Sequence, residues 1–98
     1  MMDAEEKTEV LKIQGALTVR VVEKLKAQII SATQSCHVLT LDLEDVEECD
    51  TAGLQLLFTA TRHALQDGKT IRIGPCSAVL HTTAEKLGLK LLGIKDAE

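Results

Sequence analysis

The period of the apolar positions changes several times along the chain. Between residues 8 and 13, Val10, Leu11 and Ile13 fall among charges, which suits a short strand ending at Gly15. Val19, Val22, Leu25, Ile29 and Ala32 or Thr33 then recur at helical spacing, with Arg20, Glu23, Lys24 and Gln28 on the wet side. That spacing predicts a helix over residues 19–34, with Thr18 as its cap. Residues 38–43 are β-prone and apolar enough for a central strand, Asp42 being their one ionisable side chain. A second helix is predicted over residues 51–67, packing Leu54, Leu57, Phe58, Thr61 and Leu65 on one face and ending at Gly68. Residues 69–73 read as a strand stopped by Gly74-Pro75. Ser77 caps a third helix that carries Val79 or Leu80, Ala84 and Leu87, with Gly88 after it. Leu89, Leu91, Leu92 and Ile94 form a last apolar segment, an edge-strand candidate. Residues 1–7 and 95–98 read as frayed tails.

Strands that alternate with helices imply an α/β fold: a mixed, mostly parallel sheet of about four to five strands with helices packed against it. Residues 1–98 fit a single domain large enough for its own core. Two features are left over. Leu56, Ala60 and Ala64 make a second apolar stripe on the middle helix, which either buries that helix almost entirely or meets a partner. From Asp42 to Asp50 the chain carries six carboxylates and no base, with Val46 tucked beneath. Such a run is either a solvated loop or part of a site, since functional loops in α/β sheets lie beyond the carboxyl ends of strands.

Composition narrows the function. Apolar content of 45% and charged content of 27% are those of a soluble globular protein, but Phe58 is the sole aromatic residue. The core is therefore aliphatic, stacking on nucleic acid is unsupported, and a net charge of −4 gives no electrostatic reason to bind a polyphosphate. Cys36, Cys49 and Cys76 are widely spaced and lack a CxxC pair, which predicts reduced thiols in a cytoplasmic protein. The acidic start is not a secretory signal, and no apolar run approaches the roughly 20 residues of a membrane helix. His37, His63 and His81 fall in separate elements, and neither a metal-ligand spacing nor a nucleophile–base motif is present. The expectation is a chain with no catalytic residues, metal or cofactor.

The junction Cys49-Asp50-Thr51-Ala52-Gly53-Leu54, where strand pattern gives way to helix pattern, is the candidate site. Asp50 or Thr51 can serve as an N-cap with Gly53 fitting the turn. Alternatively, Thr51 presents a hydroxyl at a helix N-terminus, where a phosphate group is welcome.

The chain resembles the STAS domain family of anti-sigma factor antagonists and sulfate transporters. The likeness is carried by Gly15-Ala16-Leu17 after the first strand, Leu41-Asp42-Leu43 with Val46, Asp50-Thr51-Ala52-Gly53-Leu54, and Leu87-Gly88-Leu89. It implies a phosphorylation-regulated binding module in which Thr51 is the acceptor, Asp50 helps form the kinase contact, and Gly53 and Leu54 begin the docking helix. Asp42 matches a family carboxylate near the same site, and Leu56 continues the partner-binding helix. The implied partners are an anti-sigma factor that is also a serine/threonine kinase, or another ATPase, together with a PP2C-type phosphatase. Thr51 stands where sigma-regulating members usually have Ser, and Gly15-Ala16-Leu17-Thr18 lacks their Glu-Leu-Asp. The Asp-Thr-Ala-Gly-Leu form is also similar to STAS subunits of phospholipid-transport ABC complexes and of chemotaxis-type signalling complexes, so a constitutive subunit is the alternative.

Overall fold

A computed structural model describes residues 7–88. Five strands and three helices follow in the order β1 (Thr8–Lys12), β2 (Gly15–Leu17), α1 (Val22–Gln34), β3 (Val38–Leu43), β4 (Val46–Cys49), α2 (Thr51–Gln66), β5 (Thr70–Cys76) and α3 (Ala78–Lys86). All pairings are parallel: β1-β3-β5 form one sheet and β2-β4 a separate two-stranded one. The two ladders follow one another along the same two neighbouring segments of backbone. After β1 and β3 the backbones turn together, joined by Ile13 N–H to Asp42 C=O at 3.0 Å and Gly15 N–H to Asp45 C=O at 3.1 Å, and pair again as β2 and β4.

The larger sheet alternates strictly. Leu39, Leu41 and Leu43 of β3, with Ile71 and Ile73 of β5, point into the core, while Val10, Thr40 and Arg72 lie in register on the other face. α1 and α2 supply the cover through Leu25, Ile29, Leu54 and Leu57, and α3 adds Leu80 and Ala84. The core is aliphatic throughout, as the composition demands.

Four expectations are corrected. The acidic run is not a loop: Glu44 and Asp45 make a turn, and residues 46–49 are strand β4, held by pairing with β2 despite the poor β-propensity of its glutamates. Val46 is buried and Glu47 and Glu48 face solvent. The first helix starts at Val22 rather than residue 19, and its N-cap, Val21, makes no side-chain bond, so Thr18 does not cap it. The Val19 N–H is instead held by the Asp50 carboxylate, which keeps that residue out of the helix. The strand after the second helix runs through Gly74-Pro75 to Cys76, because a register shift against β3 accommodates a proline that has no N–H to pair. Leu65 is not on the packed face of α2; it is 63% exposed.

Other caps follow the sequence. Ser77 Oγ accepts from the Leu80 N–H at 3.2 Å, and Gly68 takes a φ of 75° after α2. The Lys69 ammonium donates to the Thr33 and Cys36 carbonyls at 2.6 and 3.0 Å, a positive charge at the carbonyl end of α1. The apolar segment Leu89, Leu91, Leu92 and Ile94 lies outside the described residues.

Candidate functional site

Asp50 joins β4 to α2 in extended conformation and uses every polar atom it has. One carboxylate oxygen, Oδ1, accepts from the Gly53 N–H at 2.9 Å, and Oδ2 accepts from the Val19 N–H at 3.0 Å. Its carbonyl accepts from the Leu54 N–H at 3.1 Å, and its own N–H donates to the Leu17 carbonyl at 3.3 Å. The side chain is thus both the N-cap of α2 and a tie to the β2–α1 loop. The Val19 amide, and after it the Gly53 amide, hold its carboxyl below the ordinary value of 3.8.

Thr51 is the first residue of α2. It is exposed, and its hydroxyl joins no hydrogen bond among the described residues. The two readings of this junction therefore divide between neighbours: Asp50 is the cap, and Thr51 is left to present an oxygen to solvent. Asp50 already occupies the Gly53 amide, one of the donors that the first turn of a helix offers an anion.

Gly53 has a steric reason. A Cβ built there would lie 2.0 Å from the Leu17 carbonyl oxygen and 2.7 Å from its carbon. Only a bare Cα lets the first turn of α2 rest on the end of β2, and that contact fixes where Thr51 stands. Leu54, fully buried behind it, locks the same turn to the core.

The residues singled out from sequence do not form one surface. Asp50 and Thr51 reach it. Gly53, Leu54 and Leu56 are buried, so they position the helix and add no area to a surface around Thr51. Asp42 belongs to a neighbouring turn, where Oδ1 accepts from the Glu44 N–H at 3.1 Å and Lys12 Nζ lies 3.6 Å from Oδ2 and 3.1 Å from Asp45 Oδ2. Three further residues belong with Thr51. Val19, 62% exposed, and Arg20 lie on the loop tied to Asp50, and Gln55 is exposed one helical turn beyond Thr51. Helical spacing from Thr51 could have found Gln55; nothing local in the sequence announces the bond from Asp50 to Val19.

The turn and strand that lead to the junction are acidic, with Glu44, Asp45, Glu47 and Glu48 exposed. No nucleophile is prepared beside it. Burial, with Asp50 nearby, pushes the Cys49 thiol up to about 11. Among the described residues no three His, Cys, Asp or Glu side chains gather as metal ligands, and no helix is long and apolar enough to cross a membrane. The arrangement presents a neutral hydroxyl on a rigid corner that follows an acidic strand.

The family model described as "Mlab, STAS domain" matches residues 1–93. Among solved structures, the chain is similar to a sulfate transporter family protein from Wolinella succinogenes, with a TM-score of 0.67 and 19% identity over 93% of this chain and 71% of that one. It is similar to the anti-sigma factor antagonist SpoIIAA in its unphosphorylated form, with a TM-score of 0.67 and 20% identity over 91% of this chain and 77% of that one. The Bacillus cell fate determinant SpoIIAA in the phosphorylated form gives a TM-score of 0.63 and 21% identity, covering 91% of this chain and 81% of that one. No curated protein matches the sequence. At such identities these likenesses speak for the fold.

Proposed function

The chain belongs to the STAS domain family, a family of binding and regulatory modules, and on that footing we propose that it is a phosphorylation-controlled partner switch of the anti-sigma factor antagonist kind. Its Thr51 hydroxyl takes the γ-phosphoryl group of ATP from a kinase-type ATPase that it also binds, releasing ADP and the hydroxyl proton. A PP2C-type phosphatase reverses the change. The observation that carries this reading is Thr51 itself, exposed on the first turn of α2 while its neighbour Asp50 performs the capping. A structural neighbour named in both unphosphorylated and phosphorylated forms adds support.

The switch works by charge. A phosphate adds about −1.5 to −2 beside exposed carboxylates. With the Gly53 amide already held by Asp50, the phosphate projects outward and is met by whatever surface faces Thr51, Val19, Arg20 and Gln55. The fold persists and the complex dissociates; a loss of about 3 kcal/mol at the interface weakens binding more than a hundredfold. Incubation with the cognate kinase and ATP yields phosphate on Thr51 and none on the Thr51→Ala variant, and a chain that stays unmodified refutes the reading. Thr51→Ser retains the complex and Thr51→Glu loses it, measured by co-purification from native lysate.

A further inference from the structure

α1 and α2 run side by side on the sheet, and between their carboxyl-terminal halves they leave a groove of about 320 Å³. Its floor is Ile29, Leu56, Ala64 and Ile71, all at least 92% buried, and Ile30, 47% exposed, forms one lip. The cause is local. Opposite isoleucines of α1, α2 places Ala60 and Ala64, side chains too short to reach across, so the second apolar stripe of α2 is covered at its ends and unfilled in its middle. A mainly apolar cleft of this size, with a few polar groups at its mouth, has the make-up of a small-ligand site.

The geometry points to a linear aliphatic carboxylate of about eight carbons as the occupant. The volume stands at the low end of the roughly 300–1,000 Å³ of small-ligand pockets, which favours a short chain over a long one. The groove is a slot: from Leu56 to Asp67 α2 rises roughly 16 Å at 1.5 Å per residue, which suits a chain better than a ring system. Its charges are separated along that length. Lys26, which forms no ion pair among the described residues, stands at the end nearest Thr51. Asp67 stands toward the other end with His63, where the nearby Lys69 ammonium is already committed to the Thr33 and Cys36 carbonyls. An anionic head therefore sits at Lys26, near the Thr59 hydroxyl, and the tail runs over Ala60 and Ala64 away from it. Helix α2 then carries a ligand site along its flank as well as Thr51 at its tip.

The probe is octanoate, titrated into the full chain and followed by methyl NMR. Saturable shifts are expected at Ile30, Ala60, Ala64 and Ile71, with Val10 on the opposite sheet face unmoved. Ala60→Leu fills the slot and abolishes the shifts; Ile30→Glu, at an exposed position that leaves the fold intact, does so by repulsion. Lys26→Gln weakens octanoate about three- to fivefold, the worth of one exposed ion pair, and leaves octanol unchanged. The inference is overturned if octanoate moves none of these methyls, if both groove variants bind it as the parent does, or if octylamine binds as tightly. None of this rests on Thr51 being phosphorylated, so failure of the kinase assay leaves the titration standing, and the reverse.

Discussion

The two ends of α2 are built on opposite terms. At the amino end Gly53 sits hard on the Leu17 carbonyl, Leu54 is fully buried, and Asp50 fastens both the helix and the neighbouring loop. Past the middle, Ala60 and Ala64 stand off from α1 and leave a cleft. One end is close-packed and clamped through Asp50; the other is mainly apolar and underfilled. Rigidity at the first end is what a switch needs, because a charge added to Thr51 must be felt by a partner rather than absorbed by local movement. Slack at the second end is what a ligand needs.

The most severe way to break this contrast is Gly53→Ala. Alanine gains about 1 kcal/mol of helix propensity over glycine. Against that, its Cβ meets a backbone carbonyl at 2.0 Å, where no side chain can swing aside. Overpacking costs typically 1–3 kcal/mol and more where nothing yields, so we expect a net loss of about 2 kcal/mol or more. Thermal unfolding should show a drop of roughly 10 °C for a domain of this size. An unchanged midpoint means that the tip of α2 is not seated as described.

Asp50 comes next. Replacing it by Ala removes an N-cap and the tie to Val19, a combined loss of about 2 kcal/mol. Asn keeps the cap, since its carbonyl oxygen can still accept from Gly53, but cannot offer a second acceptor to Val19, so Asp50→Asn loses about half as much. The pH dependence has a definite sign. The folded carboxyl is held below 3.8 by the Val19 and Gly53 amides, so its contribution is present above that value and fades as the pH falls through the lowered one. The gap in denaturation midpoint between the parent and Asp50→Asn should therefore be constant near neutrality and close in acid. A gap that widens in acid contradicts the clamp.

These cases also divide what could be read from the chain. Ser77, Gly68 and the strand at residues 38–43 were legible because cap chemistry, positive φ and alternation are local signals. The order of such elements implied an α/β fold and the resemblance carried by Asp50-Thr51-Ala52-Gly53-Leu54 and its companion motifs implied STAS; the parallel strands and three helices bear both out. β2 and β4 were missed for one shared reason. Each is three or four residues long, and β4 is a strand only because Gly15–Leu17 lies beside it, information that no window of the sequence contains. Leu65 and Val19 misled for the opposite reason: both are apolar and at helical spacing, yet one faces solvent and the other is pulled from the helix by a residue 31 positions away. At the junction the sequence suggested which residues gather but not which are accessible, because burial of Gly53 and Leu54 depends on the end of β2.

The smallest expected effect is on Thr51, and its smallness is what gives the binding test its meaning. The side chain is exposed and makes no hydrogen bond among the described residues, so nothing in the fold depends on it. Thr51→Ala should change stability by no more than about 0.5 kcal/mol, because the side chain is exposed and Asp50, not Thr51, does the capping. Thr51→Glu places a carboxylate in the first turn, which the helix dipole favours by about 0.3 to 1 kcal/mol, while Asp50 and the acidic strand oppose it; the two nearly cancel. Both variants should therefore unfold in urea at the parent midpoint with the parent slope. If they do, loss of a partner by Thr51→Glu reports the charge at that oxygen. If Thr51→Glu unfolds early, the corner at Asp50 yields to an added charge, and phosphorylation would act by loosening the tip of α2 instead of by repelling what docks on it.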